Sequence, residues 1–225
     1  MLNMGFKDEL EEILSFTPEE KLTWLFSATM PGHIKKIVKN YMEDPIDIRV
    51  NTTEEVNKNI KHLYTKVKNK DKMEALTRFI DIYEDIRAVV FCRTRQDTQR
   101  LAEDLQAQGY KSDAIHGDLS QAHRERVMKR FKKSNLDVLI ATDVAARGID
   151  VNDLTHVFHH SLPDDNAYYT HRSGRTARAG KKGISMIFIN GRDEYKIKRI
   201  EKQLSISIKR IDIPCLLYTS PSPRD

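Results

Sequence analysis

DVLIATDVAARGID, residues 137–150, is the stretch on which the fold reading turns. Val138 to Ala141 is apolar at every position, without the polar alternation of a strand that shows one face to water. Such a strand needs cover on both faces, and a parallel sheet flanked by helices provides it. The residues after the run point to a ligand. Thr142 to Asp150 offers a hydroxyl, two carboxylates and a glycine that lets backbone approach closely. In open α/β sheets, ligands bind beyond the carboxyl ends of the strands.

Outward from this run the pattern repeats. His62–Val67, Ala88–Cys92, Ser112–Ile115, Asp137–Ala141, Thr155–His159 and Ile184–Ile189 read as strands. Between them lie helix-length stretches: Asp71–Tyr83, Thr94–Gln108, Ser120–Lys132, Asn166–Ala179 and Asp193–Leu204. Met73, Leu76, Phe79, Ile80 and Tyr83 recur at helical spacing, and Gly109 is placed to stop the second helix as a C-cap. Strands alternating with helices make βαβ units. Residues 60–214 are therefore expected to form a doubly wound α/β domain with helices on both faces of a parallel sheet.

Residues 1–50 are expected to supply less than a domain. Met1–Leu14 and Ile34–Tyr41 read as helices, Leu22–Phe26 and Ile46–Val50 as strands, and two of each cannot close a core. This part reads as a remnant of a second domain, with Trp24 and Phe26 plugging that domain's core. Residues 51–59 (NTTEEVNKN) are polar and aperiodic, and read as a linker. At the other end, 215–225 (CLLYTSPSPRD) abandons the strand pattern and resembles the translation of a sequencing adaptor. An ordinary disordered Pro- and Ser-rich tail is the alternative.

Composition narrows the class. The 225 residues are 32% charged and 39% hydrophobic, and the apolar runs are strand-sized, far below the roughly 20 residues that cross a bilayer. No secretory signal follows Met1, and two cysteines, Cys92 and Cys215, make no disulfide framework, so a cytoplasmic address is expected. The net charge is +5, yet Thr170–Lys202 alone carries ten Lys and Arg against three acids, which leaves the remainder slightly acidic. A local cationic segment of this kind suits polyphosphate. Lys196, Lys198, Arg199 and Lys202 read as a solvated helix face. The evenly spaced Arg172, Arg175 and Arg178 do not. Arg175 and Arg178, three apart, are expected to project from one face of a helical turn as a guanidinium clamp, with paired surface salt bridges as the alternative.

The combination of strings is specific where no single one is. ATDVAARGID and HRSGRTARAG, with 20 residues between Asp150 and His171, resemble motifs V and VI of the DEAD-box RNA helicases. Ser27-Ala28-Thr29 resembles their SAT motif, Val90-Phe91-Cys92-Arg93-Thr94 their motif IV, and His116-Gly117-Asp118 with Arg124-Glu125 their HGD segment. MLNMGFKDEL resembles the sequence that follows the DEAD tetrapeptide. The resemblance runs from Met1 to about Pro214. It implies two RecA-like domains with ATP and RNA bound between them, this chain holding the end of the first and all of the C-terminal one, in a monomeric helicase core.

Carried over position by position, Arg175 and Arg178 match arginine fingers that reach a γ-phosphate. Asp150, with Gly148 in the same loop, matches the carboxylate that meets the ribose. Ser27, Thr29 and His171 match residues that couple nucleotide state to domain closure. Thr142, Gly117 and Arg124, with Arg93, Thr94 and Arg95 behind them, match positions that hold the RNA backbone and so position the strand without reading it.

The chain contains neither a GxxxxGK[ST] phosphate loop nor a DEAD tetrapeptide. Gly174–Lys181 imitates the former but has the wrong spacing, the wrong following residue and a place within a helix. The resemblance therefore implies ATP and Mg²⁺ held by the first domain, and negligible hydrolysis by this chain alone. Motif VI usually carries Ile and Gly where this chain has Ser173 and Ala177, and many relatives have Asn-Tyr-Asp in place of His159-His160-Ser161. Two other readings compete: a non-catalytic RNA-binding or regulatory module, and a DNA helicase of a sister family. A metal site at His156, His159 and His160 is not expected, since His159 and His160 point to opposite faces and no third ligand accompanies them. Cys92 is expected to be a packed core thiol, and Phe188 and Tyr195 to be packing residues.

Overall fold

The computed structural model describes residues 7–18, 20–27, 30, 32–48, 58–146, 154–163, 165–178 and 180–215. The chain divides into two compact units, residues 1–51 and 52–225.

Among its described residues the first unit contains two helices, α1 (Lys7–Ser15) and α2 (Gly32–Tyr41). The strand expected at Leu22–Phe26 is not formed, and residues 46–48 of the second expected strand are not extended into a sheet either; residues 49 and 50 lie outside the described residues. A strand is held by hydrogen bonds to a neighbouring strand, and among the described residues of this unit no strand pairs with these segments. Leu22, Trp24 and Phe26 are accordingly 91%, 76% and 85% exposed.

The second unit is a seven-stranded parallel sheet. In chain order its elements are β1 (Ile60–Lys66), α3 (Lys72–Asp81), β2 (Ala88–Cys92), α4 (Arg95–Ala107), β3 (Ser112–Ile115), α5 (Gln121–Lys132), β4 (Val138–Thr142) and α6 (Asp143–Ala146). They continue with β5 (His156–His159), α7 (Asn166–Ser173), β6 (Gly183–Ile189), α8 (Glu194–Leu204) and β7 (Lys209–Arg210). The strand order is β3-β4-β2-β5-β6-β1-β7, with every pairing parallel. This is the RecA-like doubly wound sheet that the sequence leads one to expect. The two-residue edge strand β7 and the single helical turn α6 carry no pattern long enough to read in advance.

The central strands β2, β4 and β5 are buried at every residue, which is why they lack polar alternation. Alternate residues feed opposite cores. Val90, Ile140 and Phe158 join Leu76 and Phe79 of α3 and Leu101 and Leu105 of α4. Val89, Leu139 and Val157 join Val127 and Phe131 of α5 on the other face. Tyr169 of α7, Ile187 of β6 and Ile197 and Ile200 of α8 extend that second side. Helices begin where side chains cap them: the Thr94 hydroxyl accepts from Asp97 N at 3.0 Å, and Ser120 accepts from His123 N at 3.3 Å. Gly109 ends the segment after α4 at φ +87°, as a C-cap glycine does. Cys92 and Phe188 are core residues, and burial pushes the Cys92 thiol up to about 12. Tyr195, in contrast to the packing role expected of it, is 64% exposed. Among the described residues no helix is long and apolar enough to cross a membrane.

Burial holds His62, His156 and His160 down to about 4, and His159 well below the ordinary histidine value. Between about pH 6.5 and 4 the unfolded chain takes up protons that the folded one refuses. Stability should therefore fall as pH drops through that window, by up to about 1.4 kcal/mol per pH unit for each such histidine. Urea midpoints at pH 7.5, 6 and 5 should decline in that order; a flat series would contradict the neutral, buried imidazoles.

Candidate functional site

The sheet order places a switch point between β2 and β5. From β2 the chain turns through α4 toward β3, and from β5 it turns through α7 toward β6, on the opposite face and in the opposite direction. The adjoining strand ends splay apart at such a point and leave a crevice. A cleft of about 200 Å³ lies there, lined by Phe91, Asp143, Ala146, Tyr168, His171, Arg172 and Arg175.

The three arginines that look alike in sequence occupy three different environments. Helix α7 ends at Ser173, six residues before the predicted Ala179, and Gly174 is its C-cap. The wall of that helix therefore carries Arg172 alone. The guanidinium of Arg172 is 3% exposed and donates to both Asp143 oxygens, Nε to Oδ1 at 2.6 Å and Nη2 to Oδ2 at 2.7 Å. Its Nη1 donates to Ser161 O at 2.7 Å, and the group lies 5.0 Å from the Phe91 ring centroid. Arg172 ties the start of α6 to α7 and is spent on doing so.

Arg175 and Arg178 sit on the turn after the helix, so their proximity arises from a loop and not from helical spacing. Arg175 N donates to Arg172 O at 3.0 Å and Thr176 N to Ser173 O at 3.2 Å. The Thr176 hydroxyl donates to Leu154 O, and Arg178 Nε donates to Gly174 O at 3.0 Å. Gly183 makes room for this turn: a Cβ there would lie 2.0 Å from Thr176 Oγ1. Arg175 is half-buried beside the cleft. Burial, and then the neighbouring Arg178 charge, lower its pKa, so the two guanidiniums repel each other in a partly dry setting. An anion between them would relieve that repulsion. The described residues of Gly174–Lys181 thus lie on a turn before a strand and not within a helix, which still differs from the strand-to-helix place of a phosphate loop.

Ala177 adopts φ +56° and is 1% exposed. It lies on the turn, not on a helix, at a left-handed position where glycine is at ease. Ala177→Gly should change stability by less than about 1 kcal/mol, because relief of backbone strain is offset by chain entropy and a lost methyl. Ala177→Val, β-branched and oversized, should cost more than about 2 kcal/mol. Denaturant midpoints of the two variants check this, and a tolerated valine would contradict the left-handed turn.

The residues matched to RNA contacts come together along one edge. Register partners Cys92↔Thr142 and Ile115↔Ala141 align the ends of β2, β4 and β3. That brings Arg93, Thr94 and Arg95, then Thr142, then Gly117 to the same side of the sheet. Arg95 is ion-paired with Asp118, and the Arg95 Cδ lies 3.9 Å from where a Gly117 Cβ would stand. Arg124 of α5 reaches toward Ala145 O at 3.5 Å. Thr142 is 8% exposed, and its hydroxyl accepts from Ala145 N at 3.4 Å, capping α6. His171 is exposed on α7 beside the cleft. Ser27 lies in the first unit, outside any helix or strand. Thr29, Gly148 and Asp150 lie outside the described residues.

Sequence reading missed the role of Asp143. It stands 29 residues before Arg172, and no local spacing announces a pair that only the sheet brings together. It also left His159 without a role. His159 Nε2 lies 3.4 Å from Ser173 Oγ, so two of the departures from the DEAD-box pattern are one feature in space.

The family described as the helicase conserved C-terminal domain matches residues 71–180. The chain is 45% identical over 216 residues to the DEAD-box ATP-dependent RNA helicase CshA of Bacillus cereus, covering 96% of this chain and 41% of that protein. It thus spans less than half the length of the curated relatives it matches. It is 32% identical to the structure of the C-terminal domain of the DEAD-box protein Dbp5, with a TM-score of 0.64, over 71% of this chain and 93% of that one. The structure of Saccharomyces cerevisiae Dbp5 bound to RNA and ADP BeF3 is 29% identical, with a TM-score of 0.85, over 93% of this chain and 56% of that one.

Proposed function

The chain belongs to the DEAD-box RNA helicases, and from that membership we propose that it is the C-terminal part of an ATP-dependent enzyme that holds RNA by its backbone. In this reading Arg175 and Arg178 are presented to the phosphates of ATP gripped by another RecA-like lobe. Phosphoryl transfer is catalysed mainly by positioning and charge stabilisation, which is what two fixed guanidiniums supply. The observation that carries the reading is the pair itself: two mutually repelling cations on a pinned turn, beside a cleft at the sheet's switch point.

Gly148 and Asp150 are assigned to the nucleotide ribose, and Ser27, Thr29 and His171 to coupling nucleotide state with closure. Among the described residues no three His, Cys, Asp or Glu side chains converge to hold a metal. From the family resemblance, Mg²⁺ is assigned to the lobe that grips the phosphates. Arg93, Thr94, Arg95, Gly117, Arg124 and Thr142 are assigned to the RNA side, on the edge formed by the ends of β2, β4 and β3. Thr142, assigned there to the RNA backbone, also caps α6 through its hydroxyl.

The test is ATP hydrolysis by the intact protein with RNA and with DNA of equal length. RNA should stimulate it more strongly, and the 225-residue chain alone should hydrolyse negligibly. Stronger stimulation by DNA would move the protein to the sister family, and hydrolysis absent with either would leave a binding module. Arg124→Ala should weaken RNA binding equally across sequences and reduce the salt slope by about one. A loss confined to one sequence would contradict backbone contact.

A further inference from the structure

Beneath the arginine-bearing turn lies a run of buried polar side chains that the proposed chemistry does not use. Ser173, the last residue of α7, is 1% exposed; Ser185 on β6 and His159 on β5 are both fully buried. The two serine hydroxyls are 2.9 Å apart, and His159 Nε2 lies 3.0 Å from Ser185 Oγ and 3.4 Å from Ser173 Oγ. One helical turn earlier the Tyr169 ring stacks on the His159 imidazole at 4.9 Å between centroids, and its hydroxyl meets His62 Nδ1 at 2.6 Å. Apolar residues of similar size would fill this space at less cost. The polar cluster adds a definite geometry instead, because each hydroxyl accepts only a few arrangements, while His159 Nδ1 and His62 Nε2 are buried without a hydrogen-bond partner among the described residues.

We propose that His159 is a positioning residue that, through the Ser173 and Ser185 hydroxyls, fixes the end of α7 and thereby the turn carrying Arg175 and Arg178. Ser173 is the point of leverage. Its carbonyl receives Thr176 N, and the carbonyl of the residue before it receives Arg175 N. A sideways movement of the Ser173 side chain therefore moves the acceptors on which the turn is built. Tyr169 and Ser173 lie four apart on the buried side of α7 and meet the imidazole at two points, its ring face and its Nε2. Burial above all disfavours a positive charge on His159, and the charged and titratable groups facing it, Arg172 of α7 and then His62 of β1, act in the same direction. The aromatic neighbours are Tyr169 and Phe91, the latter at 6.3 Å between centroids. The imidazole therefore stays neutral, able to share a hydrogen bond with a hydroxyl without repelling Arg172.

The catalytic consequence rests on the proposed phosphate contact of Arg175 and Arg178; the structural one does not. The test uses His159→Gln, whose amide reaches as far as Nε2, His159→Asn, which falls short of the serines, and Ser173→Ala. In the 225-residue chain without nucleotide, the Arg175 and Thr176 amides should exchange hydrogen at least about tenfold faster in the Asn and Ala variants and near the original rate in the Gln variant. In the intact protein with saturating RNA, the Asn and Ala variants should lower kcat by about tenfold or more with KM for ATP within about twofold, and Gln should keep kcat within about threefold. Unchanged amide exchange in both His159→Asn and Ser173→Ala would overturn the proposal, as would equal loss in Gln and Asn. Loosened amides together with full turnover in Arg175→Ala would uphold the positioning role and remove the phosphate contact instead.

Discussion

Arg175→Ala, made in the intact protein, is expected to lower RNA-stimulated ATP turnover by about a thousand- to a hundred-thousand-fold, and Arg178→Ala by a loss of the same order. The magnitude follows from where the two groups stand. Arg175 is half-buried, its charge is disfavoured by burial and by Arg178, and it borders the switch-point cleft. A cation in that condition gains most when negative charge grows in front of it, and phosphoryl transfer spreads such charge over the transferred group. In the proposed function another lobe holds the phosphates, so the effect should fall on turnover, with ATP affinity changed little. Lysine should not restore either position, because it offers a point charge where a planar fork is needed. Turnover unchanged in both alanine variants would remove the assignment.

Arg172→Ala should act on folding, destabilising the second unit by about 3–5 kcal/mol. The guanidinium is 3% exposed and the Asp143 carboxylate 27%, and the two are joined through both oxygens. Removing the cation leaves a carboxylate without its partner, a Ser161 carbonyl without its donor and an unfilled space above Phe91. Asp143→Ala should be comparably severe, since it strands the more deeply buried charge. Lysine at 172 should recover little, because it cannot donate to two carboxylate oxygens and a carbonyl from one plane. Urea unfolding of the chain measures this. A loss below about 1 kcal/mol for Arg172→Ala would place the pair among ordinary surface salt bridges.

These two expectations separate arginines that stand three apart in one string and look interchangeable there. Helical spacing puts Arg172, Arg175 and Arg178 on a common face only if the helix continues, and it stops at Ser173. The helix-stopping signal was present in Gly174, but the Thr-Ala-Arg that follows shows no break of its own. What bends the chain is the bridge from Thr176 to Leu154 and the space left by Gly183 beneath it. Both partners come from other elements of the sheet.

The first unit shows the same division from the other side. Leu22–Phe26 has the composition of a strand, and in this chain it is none, because a strand is completed only by hydrogen bonds to another. Ala88–Cys92 and Val138–Ala141, with equally apolar composition, become central strands because neighbours flank them on both edges.

From the sequence alone came the parallel sheet, the alternation of its elements to within a residue or two over most of the second unit, and the family, because apolar periodicity and motif order are local properties of the chain. The tertiary structure alone decided the strand order, the end of α7, the pairing of Arg172 with Asp143 and the meeting of His159 with Ser173. The reason is physical: whether a charge or hydroxyl is buried, and what it then touches, depends on residues 14 to 29 positions away that only the folded sheet brings within reach.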